Sequence, residues 1–117
     1  MEYTREDLLD LSIIQGLKEM NDDDNDFFKE ILDLYNEQYP DLYNKIVQTA
    51  KNNELDSLSK YAHALKGASL NIGAKELAGI CKTIELNSKN GISEGNQELI
   101  LKIQQVYQLT LDAMKSV

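Results

Sequence analysis

One histidine occurs in the sequence, His63, and Lys66 and Gly67 follow it by three and four positions. In a helix those offsets put all three on one face, a turn apart. A glycine inside a helix costs about 1 kcal/mol relative to alanine, so its presence asks for a packing or access reason. Here the missing side chain opens the imidazole to a bulky incoming group and lets another protein approach the helix backbone. The Lys66 ammonium lies within reach of an oxyanion carried by the ring. An accessible imidazole with a clear approach and a neighbouring cation is suited to accepting a phosphoryl group.

A second set of residues lies on the following helical stretch. If the chain reverses near Gly73, antiparallel packing brings Lys82 and Glu85 level with His63, and Lys89 one turn further on. Glu85 is then placed to accept a hydrogen bond from Nδ1–H, which fixes the tautomer and leaves Nε2 as the nucleophile. Lys82 and Lys89 are expected to shape a partner-binding surface. His63 itself comes one residue after Ala62, a position on an apolar stripe, so it is rotated about 100° from the core and should be exposed.

Helices must hold these residues, and the sequence predicts little else. Apolar residues step by threes and fours along five stretches, about 4–20, 26–52, 54–72, 74–89 and 95–115. The stripes are Leu8, Leu11, Ile14 and Leu17; Phe28, Leu32, Tyr35, Tyr39, Leu42 and Ile46; and Leu55, Leu58, Ala62, Leu65, Ser69 and Ile72. Leu77, Ile80, Cys81 and Ile84 form the fourth, and Leu99, Ile103, Val106, Thr110 and Ala113 the fifth. Residues 21–26 should break the first helix and cap the second. Pro40 should kink the second helix without ending it, because the stripe keeps its phase across the proline. Gly73 should end the third. The expected fold is all-α: an up-down-up-down four-helix bundle with an additional short N-terminal helix, in one domain over residues 1–117.

Charge and composition narrow the function. The chain carries a net −8, which argues against general nucleic-acid binding. Between positions 60 and 89 five lysines (Lys60, Lys66, Lys75, Lys82 and Lys89) face only Glu76 and Glu85, a local +3, so the rest of the chain carries −11. A basic island on an acidic protein suits an acidic partner surface. No apolar run approaches the roughly 20 residues of a membrane span, and residues 1–10 lack a secretory pattern. A lone cysteine, Cys81, excludes an internal disulfide and suits a reducing cytosol, so a cytoplasmic location is expected. Its stripe position makes it a core residue. No Gly-rich phosphate loop suggests ATP binding. The acids at 22–26 lack EF-hand spacing, and one histidine supplies neither a metal site nor a hydrolase triad. No metal and no cofactor is expected.

The run Ala62-His63-Ala64-Leu65-Lys66-Gly67-Ala68-Ser69-Leu70-Asn71-Ile72-Gly73-Ala74 resembles the signature of histidine phosphotransfer (HPt) domains, which is His-x-Leu-Lys-Gly, small residues, and a Gly-Ala pair closing the helix. Leu77, Cys81 and Ile84-Glu85 match its usual continuation. The resemblance implies phosphorylation of His63 on Nε2, stabilisation of the phosphoryl group by Lys66 and clearance at Gly67. It also implies a passive carrier, a monomer whose partners are receiver domains of response regulators or a hybrid sensor kinase. In that family the receiver supplies the phospho-aspartate, the magnesium ion and most of the catalysis. Two other readings stand beside it: an inert helical interaction module, and the phosphoacceptor domain of a chemotaxis-type kinase. The dimerising hairpin of a sensor kinase usually has an acid after its histidine, where this chain has Ala64.

Overall fold

The computed structural model describes residues 3–117, and no strand occurs among them. Six helices form: α1 Arg5–Leu8, α2 Leu11–Glu19, α3 Phe27–Lys51, α4 Leu55–Ile72, α5 Lys75–Lys89 and α6 Asn96–Met114. The last four are joined by short connections and make the up-down-up-down bundle. α4 packs mainly against α5 and α3, and α6 closes the ring between α5 and α3. The predicted stripes supply the core: Leu58, Ala62, Leu65 and Ile72 of α4 meet Leu77, Cys81 and Ile84 of α5, all without solvent exposure.

The acid-rich run before α3 does what its side chains allow. The Asp26 carboxylate accepts from the backbone N–H of Lys29 at 3.0 Å and Asn21 Oδ1 accepts from that of Phe28 at 3.2 Å, so free amides of the first turn are satisfied. α3 then runs through Pro40 as one helix. Its tyrosines fasten it to its neighbours, because a buried phenol needs a partner for its hydroxyl. Tyr35 Oη lies 2.8 Å from Ser69 Oγ on α4. Tyr39 donates to Gln104 at 2.8 Å, while Tyr107 of α6 stacks on the Tyr39 ring and donates to Asn36.

The N-terminal stretch departs from the expected single helix. It is two helices, because Leu9 is extended and Asp10 starts α2 as its cap, accepting from the N–H groups of Ser12 and Ile13. Leu8, at the end of α1, and Leu9, in the break, both turn inward, at 3% and 1% exposure. The break frees the Asp10 N–H, which donates to the Gly73 carbonyl at 2.8 Å. Gly73 is left-handed at φ 82° and ends α4 as predicted. A Cβ there would stand 3.0 Å from both the Asp10 carbonyl oxygen and Ile14 Cγ1. The α4–α5 turn, which sets the register of the functional side chains, is thus clipped to the N-terminal segment.

Gly73→Ala is expected to destabilise the chain by about 1–2 kcal/mol from backbone conformation alone, with a further loss as the clip is pushed apart. Gly79→Ala is the control: it lies within α5, its Cβ meets nothing, and it should stabilise by about 0.5–1 kcal/mol. Urea midpoints at unchanged m value report both, and an unshifted midpoint in Gly73→Ala would remove the clip from this account.

Candidate functional site

The turn at Gly73 aligns α4 and α5 so that His63 faces Glu85. Ala62 is buried in the core, and the 100° step to the next residue brings the His63 side chain out to 66% exposure. Glu85 sits beside Ile84 on α5 and its side chain is only 5% exposed. A carboxylate so placed loses water and must find other donors. It finds three: His63 Nδ1 at 2.9 Å and Lys89 Nζ at 3.0 Å on Oε2, and Lys66 Nζ at 2.7 Å on Oε1. Burial pushes the carboxyl pKa up, but the hydrogen bonds from Lys66, Lys89 and His63 outweigh it and hold it at about 2.

The protonation pattern of the ring follows. Near neutral pH Glu85 is ionised and has no proton to give, so the close contact requires Nδ1 to carry the hydrogen. In the neutral ring the lone pair is then on Nε2, which has no hydrogen-bond partner among the described residues. A neutral imidazole with a fixed tautomer and an open second nitrogen can attack an electrophile. Below it, burial pushes the Cys81 thiol up to about 12, which keeps it an inert part of the core.

Of the residues singled out from sequence, His63, Lys66, Glu85 and Lys89 meet at one carboxylate. Gly67 lies one turn from His63, half-buried, and a Cβ there would touch nothing within 4 Å. Its own fold therefore gives no reason for the missing side chain. Lys82 is not brought into the cluster: it is on the exposed side of α5 and bonds to none of these groups. Sequence reasoning missed Ser59 and counted Lys60 only as charge; both line a depression together with His63, Glu85 and Lys89. Their offsets of four and three residues before His63 were the available signal. It also missed an apolar groove between α2, α3 and α4, lined by Leu17, Met20, Ile31, Leu34 and Ala68 among others.

With this geometry established, the comparisons with known proteins agree. Residues 30–116 match the family model described as Hpt domain, and the chain belongs to that family. It is 32% identical over 90 residues to multistep phosphorelay regulator 1 of Schizosaccharomyces pombe, covering 73% of this chain and 30% of that protein. It is 24% identical over 78 residues to the phosphorelay intermediate protein YPD1 of Candida albicans, covering 67% of this chain and 42% of that one. The chain thus spans less than half the length of these two relatives. Among solved structures, histidine-containing phosphotransfer protein B of Pseudomonas aeruginosa has the same fold, with a TM-score of 0.82 over 92% of each chain at 22% identity. The histidine-containing phosphotransfer protein MtHPt2 of Medicago truncatula gives 0.81 over 93% of this chain and 76% of that one, also at 22% identity. No helix among the described residues is long and apolar enough to cross a membrane.

The Glu85 carboxyl implies a specific pH dependence. Its folded pKa is depressed from 4.5 to about 2, so between those values the unfolded chain binds the extra proton. The stabilisation is complete above about pH 4.5 and is lost as pH falls toward 2. Glu85→Gln should lack this part of the acid slope, and the gap in unfolding free energy between it and the wild type should narrow across that window. A gap that stays constant with pH would mean that folding does not shift the Glu85 carboxyl.

Proposed function

We propose that this chain is a phosphorelay intermediate that accepts a phosphoryl group on His63 from the phospho-aspartate of a response-regulator receiver and passes it to another. The observation that carries this reading is the Nδ1 contact to an ionised, buried Glu85, which leaves Nε2 as an exposed nucleophile. In the forward step the Nε2 lone pair bonds to phosphorus as the bond to the aspartyl oxygen breaks, and the aspartate leaves as a carboxylate. The reverse step, onto a second receiver, uses the same atoms. Glu85 compensates the positive charge that develops on the ring as Nε2 bonds. The chain acts as a carrier with no ATP site of its own, as one domain and a monomer, in the cytosol.

The surroundings of His63 support a protein partner. Lysines 60, 66 and 89 make this edge basic on a chain of net charge −8, which complements an acidic receiver site. Further round α4, Ala68 lines the apolar groove, where Met20 and Leu34 stand 63% and 48% exposed, and Ala64 lines a neighbouring depression with Glu37, Gln38, Asp41 and Leu42. Exposed apolar surface beside an accessible nucleophile suits docking. The two phosphorelay relatives bear names consistent with this role.

Incubation with a phosphorylated receiver tests the proposal. Acid-labile, alkali-stable label is expected on the wild type and not on His63→Gln; no label from any of several receivers would favour an inert module. Gly67→Ala separates stability from transfer. It should stabilise the chain by about 0.5–1 kcal/mol while slowing transfer by about tenfold or more through displaced docking. Unchanged transfer would mean that clearance at Gly67 is not used.

A further inference from the structure

Lys66 is the cation that the family pattern places at the phosphoryl group, yet its ammonium is 2.7 Å from Glu85 Oε1 and its side chain is 22% exposed. Swinging out toward Nε2 would take the shortest hydrogen bond from a buried carboxylate, a larger loss than an exposed ion pair returns. Another cation is better placed. Helical side chains lean toward the N-terminus of their helix, so the His63 ring covers the turn that carries Ser59 and Lys60. At that turn a depression of about 300 Å³ is lined by Ser59, Lys60, His63, Glu85 and Lys89. Lys60 is exposed, and it pairs with no carboxylate among the described residues. Lys89 reaches the same depression while bound to Glu85 Oε2, the oxygen that also takes His63 Nδ1. Glu85 is the only carboxylate in the lining, and its charge is already met by three donors.

We propose that Ser59, Lys60 and Lys89 form the subsite that holds the phosphoryl oxygens of phospho-His63, with Lys60 as its principal cation, and that Lys66 is a positioning residue acting through Glu85. This rests on His63 being the phosphoryl acceptor. The subsite lies on the N-terminal side of the ring along α4, so the Gly67 side stays clear for the receiver.

Phosphoramidate provides a test that needs no receiver: its P–N bond breaks, a new one forms at His63, and ammonia leaves. The wild type, Lys60→Gln and Lys66→Gln are phosphorylated in this way and the phosphoryl group is titrated by ³¹P NMR. The unphosphorylated proteins are compared by the ¹⁵N shifts of the His63 ring. Lys60→Gln should raise the ³¹P midpoint by about half a pH unit, the scale of one exposed ion pair, and leave the ring shifts in place. Lys66→Gln should leave the midpoint nearly unmoved and change the ring shifts, with Lys66→Arg restoring them. A midpoint unmoved in Lys60→Gln, or moved as far in Lys66→Gln, overturns the assignment. A chain that takes no phosphoryl group at His63 overturns both this inference and the relay. Label and shifts as stated, with no transfer from any receiver, remove only the relay.

Discussion

A carboxylate taken out of water has to recover the hydrogen bonds it lost, and at Glu85 three side chains from two helices provide them. The site is organised by that requirement. The buried charge draws Lys66 from one turn of α4 and His63 from the turn before it, and it draws Lys89 from its own helix. Each donor is oriented because the acceptor cannot be left short. Removing Glu85 would leave the bundle core intact, since Leu65, Ile84 and Cys81 pack beneath the site without it. It would remove the reason for His63 to hold one tautomer.

The arrangement places little catalytic machinery in this chain. The ring is exposed, its Nε2 meets no partner among the described residues, and the groups around it position more than they activate. That suits a molecule that hands the same group on in either direction, because a site strongly stabilising the bound phosphoryl would hinder its release. At position 67 the fold itself would accept a side chain, so the glycine there answers no need of packing.

Much of this was legible in the sequence because helical periodicity carries both the core and the face opposite it. The stripes through α3 to α6 located the buried residues, and the offset of His63 from Ala62 located the exposed one. Gly73 fixed where α4 reverses, and from that turn the level of Glu85 followed by counting. The failures have several causes. The break at Leu9 and Asp10 joins a local signal, the Asp10 cap, to a tertiary contact with the Gly73 carbonyl that no local pattern displays. Lys82 and Lys89 looked equivalent by charge, but only Lys89 has Glu85 four residues earlier on its own helix, the spacing at which side chains meet. Lys60 was visible as charge and overlooked as geometry. The groove beneath Met20 and Leu34 needs three helices to exist and is written in none of them singly.

The clip between Asp10 and Gly73 bears on what can be cut out and moved. The recognisable part of the family begins at residue 30, but Leu8, Leu9 and Ile14 belong to the same apolar cluster as Leu65 and Ile84. Ile14 also rests against the turn that sets the register of α4 on α5. The portable unit is therefore larger than the recognisable one. A graft of the matched segment alone would carry every residue of the His63 site and leave behind the brace that holds its two helices in step.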